Sequence, residues 1–139
     1  MSVTHSMLPV PDSYSRIDDI YLYYSDNHLL DSYYTIYLEC VFAPEKFEAE
    51  KQRVIDDAKQ YHFTLYNSDS FSFESVYINQ VLEHNSDEFI AIQISYALFD
   101  DENNKIIYVD SFEEGTKSEW KTAYIPDKYL PSDLISLIK

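Results

Sequence analysis

Residues 33–61 place a strand, a proline and a helix in direct succession, and that unit limits what the chain can fold into. From Tyr34 the even positions read Tyr34, Ile36, Leu38, Cys40 and Phe42, all apolar or aromatic. The odd positions, Tyr33, Thr35, Tyr37, Glu39 and Val41, are more polar. Strand side chains alternate between faces, so this period of two predicts an even core face and an odd face outside the core. Pro44 has no amide to give a ladder, but its fixed φ suits the first position of a helix. With Ala43 as N-cap, Phe42 and Phe47 stand where a hydrophobic staple sets the angle between strand and helix. Ala43 itself offers no side-chain acceptor.

Phe47, Val54, Ile55, Ala58 and Tyr61 continue as an apolar stripe at helical period, with acids, amides and lysines on the other side. No glycine or proline interrupts the run after Pro44.

The rest reads as strands to be laid beside this unit. Ile20–Tyr24 is a short strand, and the turn residues Ser25 to His28 join it to the next as a hairpin. Residues 62–66 are ambiguous. In the run 71–82 the apolar side changes from Phe71 and Phe73 to Val76, Ile78 and Leu82, which predicts a bulge or bend near Glu74 or Ser75. Residues 89–99 form a clear strand, with Ile90, Ile92, Ile94, Tyr96 and Leu98 toward the core and Gln93 and Ser95 opposite. Asp100 to Asn104 is a hairpin loop, and Lys105–Val109 the returning strand. Residues 119–125 could add a sixth strand, and Ser132 could cap a terminal helical turn.

The order β-β-α-β-β-β indicates an α+β fold, an antiparallel sheet of five to six strands with one main amphipathic helix on one face. At 139 residues the chain suits one domain, with residues 1–16 as an extended arm and 113–139 as a less regular tail.

Charge narrows the functions. Lys and Arg number 10 against 25 Asp and Glu, a net charge of −15 with acids spread through both halves. Such a surface repels phosphate backbones and anionic membranes, so neither nucleic acid nor membrane is expected as a partner. Residues 1–20 lack a basic start followed by an apolar core, and the expectation is a cytoplasmic protein. One cysteine, Cys40, excludes an intrachain disulfide, and its place on the even face makes it a buried hydrophobe.

No chemistry-bearing motif emerges. His5, His28, His62 and His84 lie far apart in sequence and far from Cys40, so no metal site and no cofactor is expected. The oxygen-rich loop from Asp100 to Asn104 lacks the glycine and distal glutamate of a calcium loop, and reads as a solvated hairpin tip. A single glycine, Gly115, cannot build a phosphate-cradling loop, and no serine has a glycine-flanked elbow. Carboxylate pairs suited to glycoside hydrolysis occur by chance among 25 acids. The chain therefore reads as non-enzymatic rather than enzymatic.

Fourteen tyrosines are the unusual feature. Tyr21, Tyr23, Tyr33 and Tyr37 share the odd face, either as cross-strand packing under a second layer such as the tail, or as exposed anchors. In the second case Asp18, Asp19, Asp26, Asp31 and Glu39 form their charged surround. The expectation is a small protein-binding module of the interaction or inhibitor type that meets a basic protein. A small hydrolase or ligand-binding domain with a carboxylate-lined pocket, and an accessory domain of a larger surface protein, remain as alternatives.

Overall fold

A computed structural model describes residues 8–27, 31–60, 65–66, 73–84, 89–116 and 125–130, and the side chains of 24–27, 31–33, 60, 65–66, 77–84, 89–94 and 113–116 lie outside the description. The alternation in 34–42 becomes strand β2 (Asp31–Val41), which pairs on one side with β1 (Arg16–Asn27) and on the other with β6 (Lys105–Thr116). Helix α1 (Pro44–Gln60) then carries the chain to the far edge, β3 (Leu65–Tyr66). From there β4 (Glu74–His84), β5 (Phe89–Asp100) and β6 return as a meander. The sheet order is β1-β2-β6-β5-β4-β3 with every neighbouring pair antiparallel, an α+β fold with its helix on one face.

The junction at Pro44 forms as its residues require. The Ala43 carbonyl accepts the amides of Lys46 at 2.9 Å and Phe47 at 2.8 Å, so the first turn closes without a side-chain cap. Phe42 and Phe47 are buried in one cluster with Val54 and Ala58, the stripe read from the sequence. Tyr61, the expected end of that stripe, lies outside the described residues. Glu50 is buried on the same helix and is held by charge. It accepts the Tyr108 hydroxyl at 3.0 Å and Arg53 Nη2 at 2.5 Å. Arg53 also donates to Asp57 at 2.5 Å and to the Leu8 carbonyl at 3.0 Å. The described part of the N-terminal segment is therefore docked, with Leu8 and Tyr14 against the helix-side core.

The expected contrast between a core face and an outer face of β2 is corrected. Both faces of the central sheet are buried. On the helix side Cys40, Ala97, Phe99, Ile106 and Tyr108 pack under α1. On the other side Tyr37, Tyr96, Leu98, Ile107 and Val109 pack under Ile125, Tyr129 and Leu130, with Phe73 against them. Tyr37 has no exposed surface. A tail segment supplies a layer that the alternation within one strand cannot report. Ser95, read as facing away from the core, is buried as well, but on the helix side, where it shares the face of Ala97 and Phe99 and donates to Asp110 at 3.3 Å.

Two further details differ from the sequence reading. The irregularity in β4 falls between Val81 and Glu83, not at Glu74 or Ser75, where the strand begins. Phe73 precedes β4 and turns to Tyr129, with ring centroids 5.8 Å apart, which explains its mismatch with the strand's parity. Strand β6 runs past Val109 to Thr116, and inside the sheet Oδ1 of the buried Asp110 accepts the Tyr34 hydroxyl at 3.0 Å and the Ser95 hydroxyl at 3.3 Å. The proposed sixth strand at 119–125 falls outside the described residues except for Ile125, and the terminal turn falls wholly outside them.

Candidate functional site

Strand β1 stands at the end of the sheet, and among the described residues it pairs only with β2. Its register slips between Ile17 and Asp19, leaving Asp18 as the extra residue of a bulge. The slip changes parity. Ile17, opposite Cys40, therefore lies on the same face as Ile20, opposite Leu38, and Leu22, opposite Ile36. This is the helix side, but α1 leaves β2 for the far edge and rests against β4 and β6. Nothing described covers the β1 end of that face: Ile20 is 50% exposed and Leu22 62% exposed.

The opposite face of β1 carries Asp19, Tyr21 and Tyr23. Tyr21 lies across from Tyr37 and Tyr23 across from Thr35, so the register puts these three tyrosines on one face, while Tyr33 pairs with Ser25 in the backbone ladder. Their environments differ sharply. Tyr37 is sealed, with its hydroxyl donating to Glu39 and its ring 6.4 Å from that of Tyr129. Burial, and then the Glu39 carboxylate, push its pKa above the usual range for a phenol. Tyr21 is half-buried against the same cluster and stacks on Tyr23, with centroids 6.4 Å apart and planes 1° from parallel. Tyr23 is 43% exposed. The expectation that Tyr37 is a surface anchor is thus corrected, because the tail fills the space a partner would need.

The carboxylates divide in the same way. Glu39 is buried and accepts from Tyr37 and from Lys105 Nζ at 3.1 Å. It stabilises the fold and is not part of a charged surround. Lys105 also meets Asp18 at 3.0 Å, and Arg16 Nε donates to Asp18 at 2.7 Å. The hydrogen bond from Arg16, joined by that from Lys105, holds the Asp18 carboxyl below its ordinary range. Partial burial pulls Lys105 down, but Asp18 and Glu39 outweigh it and leave its pKa raised. Asp19 is exposed and its Oδ1 accepts the Ile20 amide at 2.9 Å. Asp26 and Asp31 occupy paired positions at the far end of the hairpin, opposite Ser32 and Asn27, and with Tyr33 their side chains lie outside the description.

The structure therefore gathers Asp18, Asp19, Tyr21 and Tyr23 along one edge and withdraws Tyr37 and Glu39 into the core. The apolar row Ile17, Ile20 and Leu22 was missed as a surface feature. Its signal was present as an alternating strand at the start of the chain, but exposure depends on where the helix goes.

Cys40 is fully buried, and desolvation pushes its thiol up to about 12, the state of an inert packing group. At the Asp100–Asn104 tip, Asp101 meets Lys51 at 3.2 Å and Asp100 accepts the Asn103 amide group at 2.8 Å. Among the described residues, no group of three or more His, Cys, Asp or Glu side chains could hold a metal ion. No described helix is long and apolar enough to cross a membrane. Compared with family models, curated proteins and solved structures, the chain matches none.

Proposed function

We propose that this protein is a small non-enzymatic binding module of the interaction or inhibitor type, and that the exposed edge of β1 engages a basic protein. The observation that carries the reading is the composition of that edge. Ile20 and Leu22 stand exposed beside Tyr23, with Asp18 and Asp19 next to them. Apolar and aromatic side chains bordered by charge fit the anatomy of a binding surface, in which a few anchors hold and the rim steers. The net charge of −15 selects a cationic partner and repels an acidic one.

The test is capture from the native host on immobilised wild-type chain and on Leu22→Asp, a variant at an exposed position. The expected result is a basic protein retained by the wild type, released by salt and lost from the variant. Retention of the same protein by both would remove β1 from the interface.

A further inference from the structure

We propose that β1 takes up an extended segment of the basic partner as a seventh strand, and that this segment alternates apolar and cationic side chains. The inference rests on the protein-binding reading above and names the shape of its ligand. From Asp19 to Asn27 the register of β1 against β2 is unbroken, which gives a regular edge of nine residues ended by the Asp18 bulge. An end strand whose outer edge pairs with no strand among the described residues is a template for another chain, and main-chain hydrogen bonds supply affinity while alternate side chains supply selectivity.

The two faces of β1 ask for different side chains. On the helix side an added strand would run beside Ile20 and Leu22, both exposed. Apolar residues there complete the burial that α1 leaves undone, and a charge there would be desolvated without a partner. On the other side it would run beside Asp19, Tyr21 and Tyr23. A lysine or arginine there meets a carboxylate and the face of an exposed ring. Since strand side chains alternate, the favoured ligand reads apolar, basic, apolar, basic. A second copy of this chain fits less well, because it would bring −15 toward −15 along an acidic edge.

Two synthetic nine-residue peptides provide the test, one alternating lysine and valine and one of identical composition with its lysines grouped at one end. Each is titrated calorimetrically into the full chain at low salt. The alternating peptide should bind at least about tenfold more tightly, since several cross-strand pairs are gained only in that order. Leu22→Lys should remove most of that advantage while the circular dichroism spectrum stays unchanged. Equal binding of the two peptides would overturn the added strand and leave the attraction for basic proteins standing. Binding of neither would overturn both. Sedimentation of the chain alone gives a separate check: a dimer abolished by Leu22→Lys would assign the edge to a second copy and overturn the inference.

Discussion

Tyr96 donates its hydroxyl to the Tyr129 carbonyl at 2.7 Å, and this bond fastens the tail segment to the middle of the sheet. Tyr129 in turn lies over Tyr37 and beside Phe73. The face that the sequence presents as a row of tyrosines is in this way converted into a second core. Tyr96→Phe leaves a buried carbonyl without its donor and should cost about 1–2 kcal/mol. Tyr37→Ala empties a sealed site and should cost about 3–5 kcal/mol. Urea unfolding midpoints read both. A Tyr37→Ala protein as stable as the wild type would mean that the tail does not close this face.

At high pH the same burial should destabilise the chain. Desolvation, with the Glu50 carboxylate behind it, raises the pKa of Tyr108, and desolvation with Glu39 raises that of Tyr37. A group whose folded pKa lies above its unfolded value contributes stability that is intact below the unfolded pKa. For a phenol, ordinarily 10.0, the contribution is lost as pH rises beyond that value. Stability should therefore fall steeply above about pH 10, and Tyr108→Phe should flatten the fall. A wild-type chain that holds its urea midpoint to pH 11 would contradict the burial of these hydroxyls.

At low pH the sign reverses. Asp18 is held below its ordinary 3.8 by Arg16 and Lys105. Its contribution is present above that value and is lost as pH falls through the lowered one. Asp18→Asn should give a shallower acid limb below about pH 4 with little change at pH 7. Lys105→Met should act differently, because it leaves the buried Glu39 with Tyr37 as its partner and costs about 2–3 kcal/mol at neutral pH. Equal stability of the two variants at neutral pH would contradict the buried position of Glu39.

The helix, the staple at Phe42 and Phe47, and the antiparallel character of the sheet were legible because each depends on neighbours in sequence. The period of Val54 and Ala58, the fixed φ of Pro44 and the alternation from Tyr34 to Phe42 are local signals. The fate of the odd face of β2 was not legible. Tyr37 and Tyr23 stand at equivalent parity, yet one is sealed by Tyr129, 92 positions later, and the other reaches solvent. The edge position of β1 was hidden likewise, because it follows from β6 returning to the far side of β2. Even the parity of Ile17 needs the bulge at Asp18, which only the pairing reveals. Long-range return of the chain, not local propensity, decides which faces become surface.

Association with the basic partner should be governed by charge at the encounter stage. The field of −15 reaches outward for roughly a Debye length, about 8 Å at physiological salt. The on-rate should fall as salt rises, and Asp19→Asn should lower it and flatten that dependence. Leu22→Ala should act on the off-rate, because an apolar contact forms after encounter. Stopped-flow or surface-binding kinetics separate the two. An on-rate indifferent to salt would contradict electrostatic steering.

Amide hydrogen exchange, followed along the chain with and without the retained partner, locates the contact directly. Residues 19–27 of β1 should exchange at least about tenfold more slowly in the complex, since an added strand occupies their edge. If those amides exchange unchanged while protection appears on α1 or on residues 125–130, the partner binds elsewhere and β1 is not the functional edge.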